Sequence, residues 1–166
     1  MARIRKTPQT WIDAGLKALP KHGPDALRAE TLSRLMETTK GSFYWHFKDV
    51  PAFQGAVLEA WETAILSRFE KMIDAESKAV GQLRALAGFK PSKLDHVVRG
   101  WAAHDKQAAK TVARVESAMQ MRIAALLAEL DARHPDFPGL ILAALMAAPT
   151  KGNHAETLID LLLVLK

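Results

Sequence analysis

The chain has 166 residues, 49% of them hydrophobic and 25% charged, with no cysteine and 23 Lys and Arg against 18 Asp and Glu. This excludes a largely disordered chain, a disulfide framework, a thiol nucleophile and a thiolate zinc site, and it suits a reducing cytoplasm, where the protein is expected to act. Residues 1–50 hold nine Lys and Arg against five Asp and Glu, so most of the net charge of +5 lies in the first third, which fits either a phosphate-bearing polyanion or a solvated basic surface.

At the start, the basic run Met1 to Lys6 leads into Thr7-Pro8-Gln9-Thr10 rather than an apolar core, so it does not read as a signal peptide. Thr7 suits an N-cap and Pro8 the first position of a helix with Trp11, Ile12, Gly15, Leu16 and Leu19 on its apolar side; Pro20, followed by His22-Gly23-Pro24, should stop or kink it. A second, short helix is expected over roughly Arg28 to Met36, with Leu32, Leu35 and Met36 facing inward. A third runs from about Thr39 to His46 and breaks at Phe47-Lys48. Asp49 then caps a long fourth helix, on which Phe53, Val57, Ala60, Trp61, Ala64, Ile65 and Phe69 recur at helical spacing.

A fifth helix is expected around Val80 to Ala87, ending at Gly88, and Ser92 caps a sixth that holds Leu94, Val97, Val98 and Trp101. From Asp105 to about Arg133 one long pattern places Val112, Val115, Met119, Ile123, Leu126, Leu127 and Leu130 on one face. Sustained alternation and hairpin turns are missing, so the fold class is all-α. The stretch Gly139 to Pro149 is the longest apolar run, well short of the ~20 residues of a membrane span. No membrane partner is expected.

The last two helices point to an assembly. Pro138 to Ala148 is apolar all round, and Asn153, with Glu156 three residues on, caps a final helix rich in leucine. So short a chain has few neighbours to cover both, and a homodimer through a twofold four-helix bundle is the expected solution.

Two short helices separated by a three-to-four-residue turn, behind a supporting helix and inside a basic segment, match a helix-turn-helix. The third helix carries Thr39-Lys40-Gly41-Ser42-Phe43-Tyr44-Trp45-His46-Phe47-Lys48. Gly41 allows close approach of backbone to phosphate, and Thr39 and Ser42 place hydroxyls near a helix N-terminus, which favours anions. Lys40 and Lys48 supply charge, while Tyr44 and His46 supply donors for phosphate oxygens. Phe43 and Phe47, four apart, belong to a core face; Trp45 suits either role.

Leu27-Arg28-Ala29-Glu30-Thr31-Leu32-Ser33 with the Gly41-Ser42-Phe43-Tyr44-Trp45-His46-Phe47 run resembles the N-terminal domain of the TetR/AcrR family of bacterial transcriptional regulators, over about residues 7 to 60. The resemblance implies a three-helix DNA-binding domain at 1–48 and a helical effector-binding and dimerisation domain at 49–166. It implies that the third helix enters the major groove of a palindromic double-stranded DNA operator, with Lys40, Gly41 and Ser42 reaching bases and Tyr44, His46 and Lys48 holding the backbone. Arg28 is similar to a further contact position. A ligand-responsive repressor acting as a homodimer follows from the same resemblance, with a small-molecule effector of unknown identity. Trp61, Phe69, Met72, Phe89, Trp101, His104 and Met121 are the candidate lining of its pocket, being large or adaptable and in several cases near helix ends.

The chain departs from the family pattern in three places. Glu37-Thr38 stands where a Gly-Val turn is usual, Val50 replaces a frequent Lys, and Pro20 interrupts a helix that normally continues. These departures support an alternative, a helical small-molecule binding protein with a weakened DNA head. An enzyme is not expected: six His are scattered without a His-x-x-x-His pair or a carboxylate dyad, and no metal or other cofactor is implied.

Overall fold

The computed structural model describes residues 6–147 and 153–164. Its elements are α1 (Pro8–His22), a 3-10 turn (Pro24–Leu27), α2 (Ala29–Leu35), α3 (Lys40–Tyr44), α4 (Val50–Ile73), α5 (Ala79–Leu86), α6 (Lys93–Ala102), α7 (Lys106–Glu129), α8 (Phe137–Met146) and α9 (His154–Val164). The fold is all-α, and no strand occurs among the described residues. Among them, too, no helix is long and apolar enough to cross a membrane.

The chain forms two compact units, Met1–Thr63 with Lys93–Val112, and Ala64–Ser92 with Ala113–Lys166. The first is built on α1. A reciprocal capping box between Thr7 and Thr10 starts this helix, with Pro8 in its first turn. Pro20, expected to stop or kink the helix, sits inside it, and α1 continues to His22. Pro20 cannot donate to Leu16 O and its ring crowds that carbonyl, but only two residues of helix follow it. The stop is made by Gly23 at φ 71, whose N–H donates 2.8 Å to Leu19 O, a conformation open to glycine.

Trp11 and Leu19 are fully buried on α1, with Leu27, Leu32, Phe43, Phe53 and Val57 in the same core. Gly15 lets helices meet closely: a Cβ there would lie 3.0 Å from Phe53 Cζ and Val57 Cγ2 and 3.2 Å from Leu27 Cδ2. Leu35, expected to face inward, is instead 54% exposed. α2 has only seven residues, and its inward face is taken by Ala29, Leu32 and Ser33, leaving Leu35 beside an open groove lined also by His22, Thr31 and Arg34. On α4 Ala64 is exposed, and Leu58 shares the buried stripe with Trp61 and Ile65.

In the second unit the C-terminal part of α7 buries Val115, Met119, Ile123, Leu126 and Leu127. α7 ends at Glu129, short of the expected Arg133, because Asp131 turns left-handed at φ 58 and Ala132 N–H donates 2.9 Å back to Leu127 O. α8 and α9 pack on each other, and α9 on α5. Asn153 accepts from Glu156 N–H at 3.2 Å as the expected cap, and its amide also donates 3.0 Å to Ala87 O. A void of about 10 Å3 lies among Leu83, Leu127, Leu130, Ile141 and Ile159. The stretch 148–152, which the expected apolar run enters, lies outside the described residues.

Candidate nucleic-acid interface

The turn between α2 and α3 spans residues 36–39. α2 closes through Thr38 N–H donating 2.9 Å to Ser33 O, with Glu37 at φ 50 as the left-handed residue just past the helix. Glu37 thus takes the conformation a glycine would take more easily, at a cost of about 1–2 kcal/mol. Thr39 then caps α3, its Oγ1 accepting from Ser42 N–H at 3.3 Å.

α3 has one buried and one open side. Phe43 is fully buried, its ring meeting Trp11, Phe47 and Phe53 at centroid distances of 5.4, 5.4 and 5.2 Å. Phe47 closes the cluster against Phe53 at 4.9 Å. These anchors face the other residues of the motif outward: Thr39, Lys40, Gly41, Tyr44, Trp45 and Lys48 are exposed, and Ser42 and His46 half-buried. Tyr44 is 53% and Trp45 69% exposed, large apolar area for a soluble surface. Trp45 also meets the His46 ring edge-on at 5.3 Å. Around Gly41 the nearest atom to a built Cβ is Thr39 Oγ1 at 3.8 Å, so the backbone there is open to an incoming group.

Three cations of this surface are engaged by two carboxylates outside the Thr39 to Lys48 run. Arg28, which precedes α2, places Nη2 2.8 Å from Asp25 Oδ1. Lys40 Nζ lies 3.1 Å from Glu30 Oε2, and Arg34 Nη2 3.6 Å from Glu30 Oε1. The hydrogen bond from Lys40, its positive charge and to a smaller extent that of Arg34 hold the Glu30 carboxyl below its ordinary pKa, so it is ionised at neutral pH. The sequence places Glu30 in the stretch that carries the resemblance but assigns it no role, although an acidic residue in the first turn of the helix before a Lys-Gly-Ser start is a visible signal.

The residues proposed for an effector pocket fall into two groups. Trp61, Trp101 and His104 lie in the first unit, Phe69, Met72, Phe89 and Met121 in the second. In the first, Trp61 Nε1 donates 2.8 Å to Asp95 Oδ1, Trp101 is buried on α6, and His104 is exposed in the α6–α7 turn. In the second, Phe69 and Phe89 meet edge to face at 5.6 Å, and Met72 Cε reaches within 3.3 Å of a Cβ built on Gly88, so these three come together. Arg68 stacks its guanidinium 5.3 Å from the centre of the Phe89 ring. Met121 is 65% exposed on α7. Among the described residues, no three His, Asp or Glu gather as a metal would require.

A helix, a four-residue turn and a second helix whose outward face is cationic and aromatic define a helix-turn-helix head on an all-α chain. No family model and no curated protein matches the sequence. The fold is similar to that of a crystal structure from Rhodococcus sp. described as a candidate TetR-family transcriptional regulator, with a TM-score of 0.76 and 16% identity, over 94% of this chain and 98% of that one. At that identity the likeness is one of fold.

Proposed function

We propose that the chain is a TetR-type transcriptional regulator that binds double-stranded DNA through α3. The observation that carries this reading is the two-sided α3: Phe43 and Phe47 lock it to the core, while Lys40, Gly41, Tyr44, Trp45 and Lys48 stand outward on it and just beyond it. Residues 1–48 form the reading head, and 49–166 the effector-binding and dimerisation region. Arg28, Thr39, Ser42 and His46 complete the contact set, with phosphate oxygens taken by hydroxyl and imidazole donors.

The protein works as a homodimer through α8 and α9. Leu140, Leu161 and Val164 on these helices are 52%, 54% and 80% exposed in the single chain, apolar area that a second copy covers. Two heads then meet a roughly palindromic operator with half-sites about 34–36 Å apart. A small apolar effector held within the second unit, beside Phe69, Met72 and Phe89, shifts the balance between binding and release, and the regulator acts as a repressor.

Fluorescence anisotropy against DNA from upstream of the coding region, beside a scrambled duplex and at two salt concentrations, tests the reading. Preferential, salt-sensitive binding at two chains per site supports it. Equal weak binding to both duplexes moves the ligand-binding protein with a weakened head ahead.

A further inference from the structure

Lys40, the base-reading cation of the proposed interface, is not a free charge in the unbound protein. Its Nζ lies 3.1 Å from Glu30 Oε2, ten residues earlier and across the turn, while the other oxygen of the same carboxylate faces Arg34 at 3.6 Å. The Lys40 and Glu30 side chains are 58% and 61% exposed, where an ion pair is weak and screened by salt; the contact orients Lys40 without locking it.

The two kinds of DNA acceptor then differ for this lysine. An ammonium has three donors, and Glu30 occupies one of them. A guanine edge in the major groove offers two neutral acceptors, O6 and N7, which the remaining donors reach with the carboxylate still in place. A phosphate brings a negative charge up to Glu30 and is repelled by it, or displaces it and leaves that carboxylate facing the polyanion. We infer, resting on the DNA-binding reading above, that Glu30 is a specificity-determining positioning residue, which turns Lys40 from a general phosphate anchor into a reader of neutral, guanine-type base edges.

The test begins with a duplex selected by the wild-type protein from a random pool, set beside a scrambled duplex of the same composition. Glu30→Gln keeps the side-chain volume and removes the charge. It should tighten binding to the scrambled duplex, steepen its log-log salt dependence by about 1, and lower the ratio of specific to non-specific affinity by roughly tenfold. Lys40→Ala supplies the control: in that background Glu30→Gln should leave the ratio unchanged. The inference is overturned if Glu30→Gln alone preserves the ratio, or if its gain survives in the Lys40→Ala protein, which would show mere through-space repulsion between Glu30 and DNA. Thermal melting of each variant confirms a folded head. If the wild-type protein enriches no sequence, the DNA-binding reading itself falls and takes this inference with it; if it selects DNA and Glu30→Gln selects equally well, the inference falls alone.

Discussion

Trp61 and Asp95, from α4 and α6, are each 1% exposed and joined by a 2.8 Å hydrogen bond from the indole N–H to Oδ1. A carboxylate in such surroundings persists only where donors satisfy it, and an indole N–H stripped of its acceptor bears the full loss of hydration. Asp95→Ala is therefore expected to lower stability by about 2–4 kcal/mol, the unpaired donor adding to the lost packing, and Asp95→Asn, which retains an oxygen acceptor, by less. Urea unfolding of the two variants measures this. Equal losses would show that the Trp61 hydrogen bond is not what Asp95 contributes.

Gly15 sets how closely α1 approaches its neighbours. A methyl at this position meets Phe53, Val57 and Leu27 at 3.0–3.2 Å. Overpacking of this kind costs about 1–3 kcal/mol, so Gly15→Ala should unfold at lower urea with an unchanged m-value, although alanine is the better helix former.

At Gly41 the added methyl finds open space, with only Thr39 Oγ1 at 3.8 Å. Gly41→Ala should leave the melting temperature unchanged or raise stability by up to about 1 kcal/mol. The same methyl stands where backbone is to approach phosphate, so DNA affinity should fall. A variant that melts as wild type and binds DNA as tightly would place the interface elsewhere.

Glu37 holds the left-handed position that ends α2, at φ 50. Glu37→Gly is expected to stabilise the head by about 1 kcal/mol by removing the Cβ strain, the gain being reduced by glycine's freedom in the unfolded chain. It also removes a carboxylate from the turn leading into α3, so DNA binding should tighten as well. Calorimetry and anisotropy on one preparation check both signs.

Leu161 is 54% exposed on α9. Leu161→Glu is expected to turn a dimer into monomers in sedimentation while helical content is retained, because a charge on a covered apolar face costs association and not folding. Unchanged sedimentation would exclude this face as the dimer contact.

Much of the architecture was legible in the chain. Thr7, Asp49 and Asn153 each cap a helix as expected, since capping is local chemistry over three residues, and the structure adds Thr39 on α3 and Asp105 on α7. The buried face of α7 followed from its spacing, because a long helix averages its period over several turns. Shorter helices were less legible: on α2 a few positions do not set a face, and Leu35 turned outward. Pro20 read as a break, whereas its effect depends on how much helix remains beyond it.

The sequence by itself determined the helical class, the caps and the motif Lys40-Gly41-Ser42 with its aromatic followers, all of which depend on residues close along the chain. Only the tertiary structure decided that Asp95 meets Trp61 thirty-four residues away, that Gly15 is a contact point and that Glu30 reaches Lys40 across the turn. Those pairings depend on how separate helices pack, and the same charge or glycine in a solvated helix would carry none of them.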